Sequence, residues 1–102
     1  CVINFRDLLD KQFKEQKSVS KYALQLHVTQ KRLSSATLKI MAITPKQMID
    51  ARILLEAKRL LVHTTDSVKE VGYTLGFEEP TNFVKFFKKH QNITPKEFRN
   101  RF

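Results

Sequence analysis

The segment ITPKQ at residues 43–47 returns as ITPKE at residues 93–97, an offset of 50 residues. A second echo precedes each copy: VSKYALQLHV at residues 19–28 aligns with VKEVGYTLGF at residues 68–77, at an offset of 49. One inserted residue after Phe77 accounts for the difference. The chain therefore uses one structural unit twice, which is a stronger indication of architecture than any single motif.

Both copies carry the signals of helix starts, and apolar residues recur with helical spacing along almost the whole chain. Thr44 and Thr94 each offer a capping hydroxyl, a proline follows, and Gln47 or Glu97 closes a capping box. Ser67 begins a third such box. The pattern predicts an all-α chain of seven helices. Their expected ranges are about 3–16, a short helix from Val19, 29–41, 45–63, 68–75, 80–90 and 95 to the C-terminus.

Each copy reads as a short helix, a tight turn and a longer helix, which is the helix-turn-helix plan. Ala23 and Gly72 fall where the two helices must approach closely, and Gly76 can take the positive φ that the turn requires. His27 stands at the glycine position in the first copy. We expect a single domain over residues 1–102, with one subdomain at about 3–43, a linker helix at about 45–63 and a second subdomain at about 66–102.

Composition narrows the class of partner. The 102 residues carry 19 Lys and Arg against 10 Asp and Glu, a net charge of +9, and 41% are hydrophobic. A basic chain that can bury a core favours a polyanion as partner. With two copies of one unit, that polyanion is expected to be double-stranded DNA, and a bridging helix of about 19 residues, roughly 28 Å long, suits two adjacent major-groove segments.

The outward faces of the second helix of each copy supply the expected DNA contacts. In a helix-turn-helix, this recognition helix enters the major groove, where lysine, arginine, serine and threonine bind base edges or phosphates and valine contacts a thymine methyl. The first face comprises Lys31, Arg32, Ser34, Ser35, Leu38 and Lys39, and the second comprises Thr81, Val84, Lys85, Lys88 and Lys89.

The chain resembles the AraC/XylS family of bacterial transcription regulators, closely from Thr44 onward and more weakly over residues 4–43. The residues that carry the resemblance are Thr44-Pro45, Arg52, Ala57, Leu60-Leu61, Thr64, Val68, Glu70-Val71, Gly76-Phe77, Asn82-Phe83, Phe87-Lys88-Lys89, Thr94-Pro95 and Phe98-Arg99. The resemblance implies a homeodomain-like domain with two helix-turn-helix subdomains that binds promoter DNA and regulates transcription initiation. It implies base-facing positions at Lys31, Ser34, Ser35, Pro80, Thr81, Val84 and Lys85.

This sequence departs from the family pattern in its first half. Thr37 and Leu38 stand where the family has phenylalanine and lysine, as Phe87 and Lys88 do in the second copy. Ala42 replaces a glycine. These departures predict a first recognition helix that packs more loosely and binds more weakly. The family also implies RNA polymerase as a partner and a separate sensory or dimerisation domain, and a chain that begins at Cys1 is expected to be an excised part of a longer protein.

The alternative is a basic helical adaptor that binds an acidic protein or RNA. An enzyme is not expected, because Ser34 and Ser35 have no histidine–carboxylate partnership in the sequence. The spacing of the three histidines and the single cysteine predict no metal site and no cofactor. Because the sequence has neither a long apolar run nor a signal-peptide pattern, we expect no membrane partner and a cytoplasmic location.

Overall fold

The computed structural model describes all residues, 1–102, and contains seven α-helices and no strand. The helices are α1 (Val2–Gln12), α2 (Val19–Gln25), α3 (Gln30–Met41), α4 (Pro45–His63), α5 (Val68–Thr74), α6 (Pro80–Gln91) and α7 (Pro95–Asn100). The all-α prediction is confirmed. The chain divides into two compact units, Cys1–Arg52 and Ile53–Phe102, so the division falls inside α4.

In the first unit, α3 packs against both α1 and α2. Phe5 and Tyr22 are fully buried and meet edge to face, with ring centroids 5.4 Å apart. Leu33 and Thr37 are the buried residues of α3. The Thr37 hydroxyl donates to the carbonyl of Ser34 at 3.2 Å, which satisfies the one polar group in this core position.

The second unit has an aromatic core. Phe83 and Phe87 of α6 are fully buried, with their centroids 6.1 Å apart, and Phe87 packs edge to face on Phe98 of α7 at 5.4 Å. Arg99 donates from Nε to the carbonyl of Leu61 at 2.9 Å, near the end of α4. The guanidinium therefore satisfies a carbonyl that the helix end would leave without a partner.

The first helix is shorter than the apolar spacing predicts. The expected range is about 3–16, but α1 ends at Gln12 and the next three residues form a turn. Phe13 is the last apolar residue of the pattern and is buried; a polar run, Lys14 to Ser18, follows it. A further helical turn would bury no apolar surface, and helices gain most of their stability from packing one apolar face. None of the seven helices has the length and apolar content needed to cross a membrane.

Candidate nucleic-acid interface

The second helix-turn-helix comprises α5, the turn at Leu75–Phe77 and α6. Ser67 accepts from the N–H of Glu70 at 3.1 Å, and the Glu70 carboxylate accepts from the N–H of Ser67 at 3.2 Å, which completes the predicted capping box of α5. At the other end, Gly76 takes a φ of 90°. This conformation is open to glycine without steric cost, so Gly76 allows the chain to reverse into α6.

The two helices of this motif approach closely at Gly72. A Cβ built on Gly72 would lie 3.1 Å from the Cβ of Phe83 and 3.2 Å from its Cδ2. Ordinary carbon contacts are about 3.5–4.0 Å. The missing side chain therefore lets α5 lie against the buried aromatic stripe of the recognition helix, as the sequence predicts.

The first helix-turn-helix repeats this geometry with different residues. The N–H of Val28 donates to the carbonyl of Ala23 at 3.0 Å, as the N–H of Phe77 donates to Gly72 at 3.0 Å. His27 occupies the position of Gly76 and takes a φ of 59°. The turn is thus the same hydrogen-bonded turn in both copies, and in the first copy a non-glycine residue bears the steric cost of the left-handed conformation.

The first recognition helix, α3, turns most of its predicted contact residues outward. Lys31, Arg32, Ser35 and Lys39 are exposed and Ser34 is half-buried. Helical spacing predicts that Ile40 lies on the inner face of α3 with Leu33 and Thr37. This prediction is wrong, because Ile40 is 67% exposed. The buried stripe of α3 therefore ends at Thr37, one turn before the end of the helix.

The second recognition helix, α6, has a sharper division between its faces. Thr81, Lys85, Lys88 and Lys89 are exposed, and Pro80 and Val84 are half-buried. Phe83 and Phe87 hold the opposite face in the core. Lysines on one face and phenylalanines on the other orient the helix so that its cationic side chains remain in solvent.

Two further side chains belong to these faces and were not predicted. Gln30 is exposed at the first position of α3, where the offset of 50 residues places Pro80 in the second copy. Asn82 is exposed on α6 between Thr81 and Phe83. The repeat alignment contains the signal for Gln30, and amides at such positions can bind adenine in a bidentate manner.

The acidic pair Glu78–Glu79 precedes the second recognition helix. Both side chains are exposed, and Glu79 is the N-cap residue of α6 without a side-chain cap hydrogen bond. The pair therefore adds negative charge near the positive end of the α6 dipole.

No group of three or more His, Cys, Asp or Glu side chains is arranged to hold a metal ion. Cys1 is exposed and makes no disulfide. The arrangement that distinguishes the molecule is the pair of helix-turn-helix motifs with polar and basic outer faces.

Comparison with known proteins also identifies a helix-turn-helix domain. Residues 22–101 match the family model described as a helix-turn-helix domain. An uncharacterized helix-turn-helix-type transcriptional regulator of Bacillus subtilis, YisR, is 35% identical over 91 residues, which are 89% of this chain and 32% of the relative. This chain spans about a third of the length of the transcriptional regulators to which it is similar.

Solved structures agree in fold. An AraC-type DNA-binding domain-containing transcriptional regulator from Chromobacterium violaceum superposes with a TM-score of 0.81 at 25% identity, over 93% of this chain and 85% of that one. The DNA-binding domain of AdpA, a global transcriptional factor crystallised in complex with a target DNA, gives a TM-score of 0.86 at 21% identity, over 97% of this chain and 89% of that one. The chain belongs to the AraC family of helix-turn-helix DNA-binding domains.

Proposed function

We propose that this domain binds double-stranded DNA in a sequence-dependent manner and regulates the initiation of transcription, each unit inserting its recognition helix into a segment of the major groove. The observation that carries the proposal is the duplicated motif. In both copies the same hydrogen-bonded turn precedes a helix whose inner face is buried and whose outer face is polar and basic. One such face is common on any soluble helix, but two on equivalent helices favour a shared function.

The residues proposed to contact DNA are those of the outer faces. They are Lys31, Arg32, Ser34, Ser35 and Lys39 on α3 and Pro80, Thr81, Val84, Lys85, Lys88 and Lys89 on α6. Positions in the first half of each helix enter the groove most deeply and are assigned to base edges, and the lysines toward the C-terminal end are assigned to phosphates.

Selection of bound duplexes from a random DNA pool at near-physiological salt tests this function. Two short preferred motifs with centres about 10 base pairs apart are expected, since the major groove returns to the same face of the duplex at that interval. Salt-sensitive binding without any enriched motif would contradict sequence-specific recognition and favour the rival, a basic helical adaptor for RNA or an acidic protein.

Two lysines on α6 provide the residue-level test. Lys85→Ala should weaken binding to the selected duplex by about 1–3 kcal/mol and relax the preference at one base pair, if Lys85 makes a bidentate contact to guanine. Lys89→Ala should weaken binding to all duplexes alike and lower the salt slope by about one. Lys96→Ala, an exposed lysine of α7, is the control. Equal losses on every sequence for Lys85→Ala would reassign Lys85 to a phosphate.

The resemblance to the family suggests a wider role for the protein. We propose that this domain is joined to a sensory or dimerisation domain and that it contacts RNA polymerase at the promoter. The length of the curated relatives, about three times that of this chain, supports the first part. Affinity capture of RNA polymerase holoenzyme on promoter DNA, with and without the bound domain, tests the second.

A further inference from the structure

The two copies of the helix-turn-helix differ in charge at the segment that leads into their first helix. Residues 11–21 contain four lysines, Lys11, Lys14, Lys17 and Lys21, and one acid, Glu15. The aligned residues 60–70 contain one lysine, Lys69, and two acids, Asp66 and Glu70. Two equivalent segments of one fold thus carry net charges of +3 and −1.

The same asymmetry extends over the compact units. Residues 1–52 have ten Lys and Arg against four Asp and Glu, and residues 53–102 have nine against six. The recognition helices do not cause the difference, because each carries three Lys or Arg residues. Most of the excess positive charge of the first unit therefore lies in the segment Lys11–Lys21.

Lys21 occupies a position where a carboxylate would stabilise the fold. It is the third residue of α2, and its N–H donates to the Ser18 hydroxyl at 3.4 Å. In the second copy Glu70 has this place, and its carboxylate accepts a hydrogen bond from the N–H of Ser67 at 3.2 Å. Lysine has no acceptor, so α2 lacks this reciprocal bond, and its ammonium lies near the positive end of the helix dipole.

The structure compensates for the missing capping box without using residue 21. The N–H of Ser18 donates to Oε1 of Gln16 at 3.1 Å, which replaces the bond that a glutamate would make. The side chain of Lys21 is exposed. A local rule is thus broken at an exposed position without a gain in stability, which is typical of residues kept for function.

Lys17 fixes the conformation of the segment. Its Nζ donates to the carbonyls of Phe13 and Lys14, at 3.4 and 3.2 Å, and so satisfies the end of α1. Burial lowers the pKa of Lys17, and the charge of Lys46 lowers it further against the opposing effect of Glu15.

We propose that the segment Lys11–Lys21 binds DNA phosphates and makes the first unit the electrostatic anchor of the domain, outside the two recognition helices. In a helix-turn-helix the first helix crosses the sugar–phosphate backbone, so the segment that enters α2 is the part of this unit suited to a phosphate. The inference rests on the proposed DNA binding. The first unit would then supply the larger share of the salt-dependent affinity, although its recognition helix has fewer cationic side chains near its C-terminal end than α6 has.

Lys21→Glu is the variant that tests this inference. It creates the sequence Ser18-Val19-Ser20-Glu and so permits a capping box, which should leave the thermal stability equal to that of the wild type or raise it. A loss of binding then has no folding explanation. Binding is measured by fluorescence anisotropy on a duplex of arbitrary sequence at several salt concentrations, so the result does not depend on sequence preference.

The salt slope is the fall in the logarithm of affinity per unit rise in the logarithm of salt concentration. Lys21→Glu is expected to lower this slope by about 0.9 for one lost phosphate contact, so that over a fourfold range of salt the affinity changes by a factor about 3.5-fold smaller than in the wild type. Lys96→Glu is the matched control, because it makes the same change in net charge at an exposed lysine in the first turn of α7. The control should reduce the slope by less than half as much.

A second variant, with Lys11, Lys14 and Lys21 all changed to glutamine, should lower the slope by two to three units. An unchanged slope in Lys21→Glu, or an equal reduction in Lys96→Glu, would overturn the inference. Random-pool selection separates this outcome from a failure of the proposed function. If the wild-type protein enriches a motif and Lys21→Glu leaves the salt slope unchanged, sequence-specific binding stands and only the phosphate-binding role of the segment Lys11–Lys21 is rejected.

Discussion

Gly72→Ala tests whether the close approach of α5 and α6 fixes the second recognition helix. Alanine is more favourable than glycine in a helix interior by about 1 kcal/mol. Against this gain, the added Cβ would lie 3.1–3.3 Å from three carbons of Phe83, whose side chain is fully buried and packed against Phe77 and Phe87. Overpacking of a core costs about 1–3 kcal/mol. We expect a net destabilisation of about 1 kcal/mol.

Urea denaturation followed by circular dichroism at 25 °C measures the change. The first copy supplies the design of a double-mutant cycle, because it has Ala23 and Leu33 at the positions of Gly72 and Phe83. Phe83→Leu should recover part of the loss caused by Gly72→Ala, with a coupling energy of about 0.5–3 kcal/mol. A Gly72→Ala protein that is more stable than the wild type, together with zero coupling, would refute the argument from close approach.

Four other changes have defined outcomes. Ala42 and Asn92 end α3 and α6 with φ of 61° and 65°. Ala42→Gly should raise the free energy of unfolding by about 1 kcal/mol, and Asn92→Gly should raise it by less because asparagine tolerates this conformation better. Urea denaturation measures both changes, and the reverse order would contradict the prediction. The buried Tyr22 has its pKa raised to about 12 by burial and by Glu15, and its hydroxyl donates to a main-chain carbonyl at 2.7 Å. A pKa that is raised in the folded state contributes stability that is fully present below the unfolded pKa of about 10 and is lost as pH rises toward 12. The difference in the free energy of unfolding between wild type and Tyr22→Phe should therefore shrink between about pH 10 and 12, measured by denaturation at constant salt. A difference that stays constant over this pH range would contradict the prediction. Arg99→Lys should destabilise by about 1–3 kcal/mol, measured as a lower urea midpoint, because lysine cannot reach both main-chain carbonyls that the guanidinium bonds at 2.9 and 3.4 Å; an unchanged midpoint would show that water replaces those bonds.

The sequence alone determined the architecture because the signals of helix starts and turns are local. Thr94, Pro95 and Glu97 define the start of α7 through contacts within three residues, and the structure contains that capping box as predicted. Gly76 similarly has its positive φ for a reason internal to the turn. The repeat supplies a second copy of each local pattern and aligns His27 with Gly76, although the left-handed conformation of His27 is known only from the structure.

Only the tertiary structure decided how side chains distribute where local rules allow several outcomes. Ile40 fits the helical period of the inner face of α3 yet is exposed. Tyr22 is fully buried on α2 where the second copy has Val71, and the small Thr37 is buried on α3 where that copy has Phe87. The large side chain thus lies on a different helix in each copy, an exchange that only packing can settle.

Part of the candidate interface could also be predicted from the sequence, and part depended on the tertiary structure. The outward faces of α3 and α6 followed from the 3.6-residue period, since a buried stripe fixes which residues remain outside. The bond from Arg99 to the end of α4 joins residues 38 positions apart in the sequence. The bonds of Lys17 to the carbonyl of Lys14 and of the Ser18 N–H to Gln16 are local, but they depend on a choice between neighbouring acceptors that the sequence does not settle. Sequence periodicity determines which face of a helix is available, and long-range packing determines what each side chain on that face is free to bind.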